Sequence, residues 1–452
     1  MIGVGGCGMS GIAKILFEMG FKVTGSDSRE GPNTMRLKDL GVKVFIDHDA
    51  ANVREADVVV YSSAIKNENP EMVEARTKNI PIVKRAEMLS WIMDQNQIKI
   101  AVAGTHGKTT TSAMLAKVFE FSKLSPTYFI GCDMDYIDGN AKLGNGRYAI
   151  TEADESDGSF LMLSPTIEII TNIENDHLEN YGSMQALVDI FEQFAQKVPE
   201  NGFIALDIAN NYNAELIKKL PKKYLTYGFN ENALYSAKNL SYKEFSSFFT
   251  LTKAGEELGE VELAVPGWQN ILNSLGVFAI ALELGIDFNA ISSALRTFSG
   301  ARRRFQTVGE INDILIVDDY GHHPTEVKAT LSAAKAGWPG RRLICIFQPH
   351  RYSRTMLLKE EFATAFKDAD KVVITDIYAA SEKPIPGISG KTIADSIKGQ
   401  DVTYIKKKEK IPDHLLEDIR PNDLIITLGA GDIYTIGKEF LTRLKMKNEI
   451  PA

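Results

Sequence analysis

The residues best suited to chemistry form a glycine-rich loop that ends in a lysine and a threonine. The run Ala103-Gly104-Thr105-His106-Gly107-Lys108-Thr109-Thr110 follows a predicted strand at 98–103 and leads into a predicted helix. Backbone amides of such a loop can surround phosphate oxygens, the Lys108 ammonium can neutralise the β and γ phosphates, and the Thr109 hydroxyl can bind Mg²⁺. Val102 stands where the strict G-x-x-x-x-G-K-[ST] pattern has its first glycine. The context predicts a nucleotide site, and a chance Gly-Lys-Thr run is the alternative.

Two acidic runs follow later predicted strands, at 152–157 and 172–177. Like charges placed this close destabilise a fold unless a cation offsets them, and Mg²⁺ is the ion we expect. Glu152 is the carboxylate nearest the predicted sheet edge, and an exposed acidic loop is the alternative. His177 is a less natural ligand for Mg²⁺ than an oxygen donor, so an ordinary structural hydrogen bond remains its second interpretation.

A second glycine loop lies near the start of the chain. Gly3-Val4-Gly5-Gly6-Cys7-Gly8 fits G-x-G-x-x-G and leads into a predicted helix, and Asp27 follows about 20 residues later. Its glycines allow close approach to a diphosphate, and the Asp27 carboxylate suits a ribose hydroxyl. The motif alone leaves open a nicotinamide or flavin dinucleotide, another diphosphate ligand, or a structural turn.

Side-chain amides and arginines follow in the middle of the chain. Asn270 and Asn273 are three residues apart on one predicted helix, hence on one face, where they could bind an adenine edge. A helix N-cap is the alternative role for Asn270. In the run 302–304, an arginine could reach a transferring phosphoryl group, or the run is a charged linker.

Two clusters rich in histidine and arginine follow predicted strands in the last third of the chain, at 318–324 and 348–354. Because both follow strand ends, they share one rim of the sheet. Arg351 and Arg354, three residues apart, suit capture of a carboxylate. The His-His-Pro run has no third ligand at zinc-site spacing, so we do not expect zinc.

Alternating strands and helices must position these residues. The pattern predicts an α/β protein with three domains, at 1–95, 96–300 and 301–452. The first and last are predicted to be Rossmann-like, and the central one to be P-loop ATPase-like, with a mostly parallel sheet. An alternating, strand-rich stretch at 230–266 predicts a small antiparallel addition to that central sheet.

Composition excludes several classes of protein. The 452 residues carry a formal net charge of -8, which argues against a general nucleic-acid binder. No apolar run approaches the length of a membrane span. Three scattered cysteines and the absence of a signal-peptide pattern predict a cytoplasmic protein without a structural zinc site.

Taken together, these motifs resemble the Mur ligases of bacterial cell-wall synthesis over essentially the whole chain. The most specific segments are GVGGCGMSGIA at 3–13, SSAIK at 62–66, AGTHGKTTT at 103–111, EADESDGSF at 152–160, NIENDHLENY at 172–181, DDYGHHPTEV at 318–327 and FQPHRYSRT at 347–355. The chain departs from the family at Cys7, where Ser is frequent, and at Gln269, where His is frequent.

The resemblance implies that ATP drives the joining of L-alanine to the lactyl carboxylate of UDP-N-acetylmuramate through an acyl phosphate. It assigns the UDP-sugar to Gly5, Gly6, Cys7, Gly8, Met9, Ser10, Asp27, Ser62 and Ser63. It assigns ATP to Gly104, Thr105, His106, Gly107, Lys108, Thr109, Thr110, Asn270, Asn273, Arg304 and Asp319. It assigns the amino acid to Tyr320, His350, Arg351 and Arg354, and Mg²⁺ or Mn²⁺ to Thr109, Glu152 and His177. The implied catalytic residues are Lys108, Glu152, His177, Arg304, His322 and His350.

Three other functions stay open at this stage. A related muropeptide-recycling ligase would add a tripeptide in place of alanine. A nicotinamide-dependent oxidoreductase would explain the first glycine loop alone, and a non-catalytic switch that binds ATP and a UDP-sugar would explain both loops but not the histidine and arginine clusters. We expect small-molecule partners only, and a monomer or weak homodimer.

Overall fold

A computed structural model of the chain describes residues 1–134, 137, 139–176, 178–220 and 223–449. These residues form two compact units. The first comprises Met1–Lys238, Thr250–Val261 and Leu272–Phe298, and the second comprises Asn239–Phe249, Glu262–Ile271 and the chain from Ser299 onward.

The first unit begins with a small parallel sheet and its helices. The strands are β1 (Thr24–Asp27), β2 (Lys43–Ile46), β3 (Val59–Tyr61) and β4 (Ile82–Lys84), and the helices are α1 (Cys7–Glu18), α2 (Pro32–Asp39), α3 (Pro70–Thr77) and α4 (Arg85–Met93). Strand β1 pairs with β2, and β3 pairs with β4, both in parallel. The buried residue Ile2 bridges in parallel to Ser26 and to Tyr61, so that it joins the two strand pairs. This arrangement is the Rossmann-like start that the sequence predicts.

A sheet of ten strands follows, in the order β14-β13-β12-β11-β10-β9-β5-β8-β6-β7. Its strands are β5 (Ile98–Ala103), β6 (Thr127–Met134), β7 (Gly139–Lys142), β8 (Tyr148–Glu152), β9 (Ile167–Ile170), β10 (Phe203–Asp207), β11 (Tyr224–Gly228), β12 (Tyr235–Lys243), β13 (Ser246–Lys253) and β14 (Glu256–Leu263). Strand β5 lies between β8 and β9 and is parallel to both. The segments that follow these three strands therefore meet at one edge of the sheet.

Antiparallel strands complete the ten-stranded sheet on both sides. Strand β7 is antiparallel to β6. Only two residues connect β12 to β13 and β13 to β14, a length that joins antiparallel neighbours. The mostly parallel sheet with an antiparallel addition is thus as predicted. The accompanying helices are α5 (Lys108–Phe121), α6 (Leu178–Tyr181), α7 (Met184–Gln196), α8 (Asn211–Ile217), α9 (Trp268–Glu283) and α10 (Phe288–Arg296).

The second unit contains a six-stranded sheet in the order β15-β16-β20-β17-β18-β19, which is parallel except for β15. Its strands are β15 (Gln306–Ile311), β16 (Ile314–Asp319), β17 (Arg342–Phe347), β18 (Lys371–Ile374), β19 (Val402–Tyr404) and β20 (Asp423–Leu428). Its helices are α11 (Pro324–Gly337), α12 (Tyr352–Leu357), α13 (Lys359–Ala365), α14 (Gly390–Ser396), α15 (Ile411–Leu416) and α16 (Tyr434–Glu449).

Both faces of this second sheet are buried. Leu315 and Val317 of β16 belong to one hydrophobic cluster, whereas the alternating Ile314 and Ile316 belong to another. A parallel sheet covered by helices on both faces requires such continuous apolar strands. The strand ends are therefore where polar groups can reach a ligand.

None of the helices in the described ranges is long and apolar enough to cross a membrane.

One buried carboxyl at a strand end makes stability depend on pH. Burial raises the pKa of Asp207 from its ordinary 3.8 to about 6, although the Ala209 amide, which donates to it over 2.9 Å, works in the opposite direction. The folded chain therefore holds a proton that the unfolded chain releases. This contribution to stability is complete below the unfolded pKa and is lost as pH rises through the folded one.

Asp207→Asn should therefore stabilise the protein at alkaline pH, because an amide keeps the acceptor without the charge. We expect the gain in the free energy of unfolding to be about 1.4 kcal/mol larger at pH 8 than at pH 5. Urea unfolding at both pH values measures it, with the exposed Asp189→Asn as the control. A gain independent of pH would contradict the explanation.

Candidate functional site

The glycine loop between β5 and α5 is fastened to the end of strand β9. The amide of Thr105 donates to the carbonyl of Asn172 over 2.9 Å, and the amide of His106 donates to the Asn172 side-chain oxygen over 2.8 Å. Gly104 has φ +127°, and a Cβ there would lie 2.0 Å from Thr171 Oγ1. Gly107 has φ +84°, and a Cβ there would lie 2.5 Å from Asn273 Oδ1. Both positions therefore require glycine.

Lys108, the first residue of α5, is drawn back against its own loop. Its ammonium donates to the carbonyl oxygens of Gly104 over 2.6 Å and Thr105 over 3.2 Å, and to Glu155 Oε2 over 2.8 Å. Burial alone would lower the pKa of Lys108, but the neighbouring carboxylates, led by Glu155, outweigh burial and raise it. Lys108 is therefore a permanent cation at the place where a phosphate-binding loop needs one.

Glu155 is a residue of this site that sequence reasoning missed. Its side chain is 1% exposed, and its second oxygen, Oε1, is buried with no hydrogen bond from the described residues. A buried carboxylate with one unused oxygen can accept a further donor or a cation. The acidic run in the sequence indicated a cation site, but no spacing rule singled out its fourth residue as the partner of Lys108.

An oxygen-rich cluster lies beside the lysine. Thr109 Oγ1 donates to Glu152 Oε2 over 3.1 Å, and Ser112 Oγ donates to Glu152 Oε1 over 3.3 Å. The amide of Gly131 also donates to Glu152 Oε1. One hydroxyl and one carboxylate in contact are the hard oxygen donors that Mg²⁺ prefers, so this pair fits a divalent cation bound together with phosphates. His177 lies outside the described residues.

The first glycine loop is closed by its predicted carboxylate. The amide of Gly5 donates to Asp27 Oδ2 over 2.9 Å, and the side chain of Asn33 donates to the carbonyl of Gly5 over 2.9 Å. Gly3 has φ +78°, and a Cβ there would lie 3.2 Å from Ser62 Cβ. The structure thus brings Asp27 and Ser62 to the loop that leads into α1, and one oxygen of Asp27 is already an acceptor there.

Cys7, the first residue of α1, touches the ten-stranded sheet. Its thiol donates to the carbonyl of Gly131 over 3.3 Å. Burial, together with Asp133 and Glu152, raises the pKa of the Cys7 thiol to about 12. The side chain therefore keeps its proton at neutral pH and acts as a donor, as a serine hydroxyl would.

A cleft of about 560 Å³ opens beside this loop, and its lining includes Ser63, Lys66, Lys84, Arg85 and Asp157. The Arg85 guanidinium also lies 3.1 Å from where a Cβ on Gly8 would be. Sequence reasoning missed Arg85. The available signal was the adjacent pair Lys84-Arg85, which ends β4 and begins α4. Cations here would attract an anionic ligand.

The second unit gathers its own cluster after β16 and β17. His322 Nδ1 lies 3.1 Å from the carbonyl of Tyr320, and Arg354 Nη1 lies 3.3 Å from His350 Nδ1. The rings of His322 and His350 are 5.5 Å apart. The predicted amino-acid residues are therefore neighbours, and Arg304 joins them with its guanidinium 5.2 Å from the Tyr320 ring centre.

His322 and His350 carry their ring protons on different nitrogens. A carbonyl oxygen only accepts, so Nδ1 of His322 carries the proton, whereas a guanidinium only donates, so Nδ1 of His350 does not. Burial lowers the pKa of His322 to about 3, with help from Arg354 and His350, although the Glu326 carboxylate, 3.3 Å from Nδ1, acts against it. His322 is therefore neutral at pH 7, with a lone pair on Nε2.

Two other predicted ATP residues have local roles in the structure. Asp319 accepts from the amides of Phe305 over 2.8 Å and Gly321 over 2.7 Å. Burial raises the pKa of Asp319 to about 6, although Arg304 and these amides act against it. Asn270 is the third residue of helix α9, and its side chain donates to the carbonyl of Pro266 over 2.7 Å. Because Asn270 lies within the helix and not before its first residue, the N-cap alternative is wrong.

Comparison with known proteins decides the family. Family models match three consecutive stretches: "Mur ligase family, catalytic domain" at residues 1–97, "Mur ligase middle domain" at 102–281 and "Mur ligase, glutamate ligase domain" at 303–431. A UDP-N-acetylmuramate–L-alanine ligase of Geotalea uraniireducens is 48% identical over 447 residues, which cover 98% of this chain and 97% of that protein. The chain belongs to the Mur ligase family. It is therefore an ATP-dependent ligase that forms amide bonds, as the motifs predict.

Solved structures of Mur ligases support the three-domain α/β fold. The UDP-N-acetylmuramate–alanine ligase of Thermotoga maritima has a TM-score of 0.84 and 33% identity, covering 99% of this chain and 98% of that one. A murein peptide ligase of Psychrobacter arcticus has a TM-score of 0.70 and 25% identity, covering 100% and 98%. The predicted fold class is thereby confirmed.

Gly104→Ala should weaken ATP binding, because its Cβ would displace the loop from Thr171. We expect the dissociation constant for ATP, measured calorimetrically, to rise at least about tenfold. Gly182→Ala is the matched control, since Gly182 also has positive φ, +77°, but no atom of the described residues lies within 4 Å of its added Cβ. Unchanged ATP affinity in Gly104→Ala would show that the loop tolerates the displacement.

Proposed function

We propose that this Mur ligase joins L-alanine to the lactyl carboxylate of UDP-N-acetylmuramate, with ATP converted to ADP and phosphate. The relative that is 48% identical carries that activity in its name, over nearly the whole of both chains. Within the chain, the observation that carries the proposal is the Lys108 ammonium, which is held among carboxylates at the end of the loop after β5. A cation in that position serves a phosphoryl-transfer step.

The reaction needs two transfers. The lactyl carboxylate attacks the γ-phosphorus of ATP, the bond to the β-γ bridging oxygen breaks, and ADP leaves with an acyl phosphate formed. The alanine amine, after losing a proton, then attacks the acyl carbon, and phosphate departs as the amide forms. Lys108 would stabilise the negative charge that develops on the transferring phosphoryl group, and Arg304 stays a predicted ligand of the ATP phosphates.

A divalent cation, Mg²⁺ or Mn²⁺, belongs to this proposal. Thr109 and Glu152 would hold it, with His177 as the further predicted ligand. When bound, the ion supplies positive charge to the phosphate oxygens. Lys108 supplies a second positive charge to the phosphates, because its raised pKa keeps it protonated.

The UDP-sugar would bind at the first glycine loop. Amides at the start of α1 and the cations Lys84 and Arg85 suit a diphosphate and its attached sugar. To the predicted residues from Gly5 to Ser63 we therefore add Arg85. The monomer or weak homodimer and the cytoplasmic location stay predictions.

The amino acid would bind in the second unit. Arg351 and Arg354 suit its carboxylate, and the Nε2 lone pair of neutral His322 suits a hydrogen of its amine. His350, with its proton on Nε2, suits the oxygen of the acyl group.

Phosphate release from the purified chain tests the function. With Mg-ATP and UDP-N-acetylmuramate we expect phosphate to depend on added L-alanine, with one amide product per phosphate by mass spectrometry. Release with a tripeptide but not with alanine would assign the recycling ligase. Binding of both nucleotides without turnover would favour the switch, and oxidation of added NADH would favour the oxidoreductase.

Glu152→Gln should weaken the binding of the divalent cation to the ATP complex, because an amide lacks the carboxylate charge. We expect the affinity for Mn²⁺, followed by electron paramagnetic resonance with ATP present, to fall about 10- to 100-fold. Asp154→Asn is the control, since it removes a charge from the same acidic run at an exposed position. Equal losses in both variants would mean that net charge alone attracts the ion.

A further inference from the structure

Arg351 has a backbone conformation that is unusual for a residue with a side chain. Its φ is +70° and its ψ is 141°, directly before helix α12. Residues other than glycine adopt such angles only where their surroundings impose them, and such positions concentrate at functional sites. The residues that impose this conformation therefore also determine where the neighbouring His350 and Arg354 lie.

Hydrogen bonds to the amide and to the carbonyl of Arg351 help to hold this conformation. Its amide donates to the carbonyl of Tyr378 over 2.9 Å, and the amide of Tyr378 donates back to the carbonyl of Pro349 over 2.8 Å. The hydroxyl of Thr355 donates to the carbonyl of Arg351 over 2.9 Å. The chain at 349–351 is thus paired with Tyr378, which follows strand β18.

Glu382 fixes the next two residues. Its Oε2 accepts from the amides of Tyr352 over 2.7 Å and Ser353 over 3.1 Å, and its Oε1 accepts from the Ser353 hydroxyl over 2.5 Å. Burial tends to raise the pKa of Glu382, but the Ser353 hydroxyl and the two amides outweigh it and lower the pKa. Helix α12 has no side-chain cap of its own, so this distant carboxylate takes that role.

Tyr378 also holds the His350 ring. The two rings are parallel within 8°, with centroids 5.7 Å apart. Gly431 closes the other side, since a Cβ there would lie 2.7 Å from Tyr378 Cγ. Tyr378 therefore lies between the loop after β20 and the His350 ring, and its carbonyl accepts a hydrogen bond from the Arg351 amide.

We propose that the turn from Tyr378 to Glu382 is the positioning element of the amino-acid site. In it, Glu382 and Tyr378 act through the strained segment 350–353 to aim His350, Arg351 and Arg354 at the amino acid. The inference rests on the proposed function and adds two positioning residues to it. Neither touches the substrate in this scheme, so both act on amino-acid affinity and leave the nucleotide sites unchanged.

The test is the kinetics of Glu382→Gln, measured separately for each substrate. An amide nitrogen would face donors that now meet a carboxylate, so the segment should relax. We expect the KM for L-alanine to rise about tenfold or more, while the KM values for ATP and UDP-N-acetylmuramate stay within about twofold. Glu360→Gln is the matched control, an exposed acid in the first turn of the neighbouring helix α13.

The milder variant Ser353→Ala keeps the test decisive if Glu382→Gln does not fold. It removes one of the three bonds and should raise the KM for alanine in the same direction by a smaller factor. An unchanged KM for alanine in both variants, or an equal rise in all three KM values, would overturn the inference. Absence of alanine-dependent turnover in the unmodified protein would instead refute the proposed function itself.

Discussion

The ion pair between Lys108 and Glu155 is the interaction around which the first unit is arranged. An ammonium group taken largely out of water is strongly destabilising without a partner, and Lys108 finds its partner, Glu155, in the segment after another strand, β8. The ten-stranded sheet meets this condition by placing β8 next to β5, so that the acidic run after β8 lies beside the loop after β5. On the other side, β9 supplies the residues that fasten the loop.

The same logic of strand ends organises the second unit. In the order β16-β20-β17-β18, the segments after four neighbouring parallel strands bring together Tyr320, Gly431, His350 and Tyr378. Burial then keeps His322 neutral, because a charged imidazole loses its hydration there. A carbonyl beside one ring and a guanidinium beside the other give the two histidines opposite tautomers.

Sequence patterns predicted the fold and most residues of the candidate site, because these features depend on local spacing. The glycines, Lys108 and Thr109 stand in one run, and the strand-to-loop context is visible in the same few residues. Glu155, Arg85 and Glu382 were missed for a different reason. Their partners are distant along the chain, as Lys108 is from Glu155, and only the packed sheet brings them together.

Hydrogen bonds to the backbone also give a local role to two residues that the sequence predicts as ligand partners. The sequence predicts Asp27 as a partner for ribose and Asp319 as an ATP residue, yet both accept hydrogen bonds from backbone amides in the structure. An aspartate near a tight turn often bonds to the backbone around it, and sequence spacing alone does not separate that role from ligand binding.

Under the proposed function, the left-handed backbone at Arg351 sets stability against amino-acid binding at a single position. Glycine adopts φ +70° without steric cost, so replacement of Arg351 would relax the chain while removing a guanidinium from the amino-acid cluster. A laboratory selection for heat resistance alone would therefore favour glycine at this position, whereas a selection that also demands growth would retain arginine. Thermostable variants that keep their activity must gain their stability elsewhere in the chain.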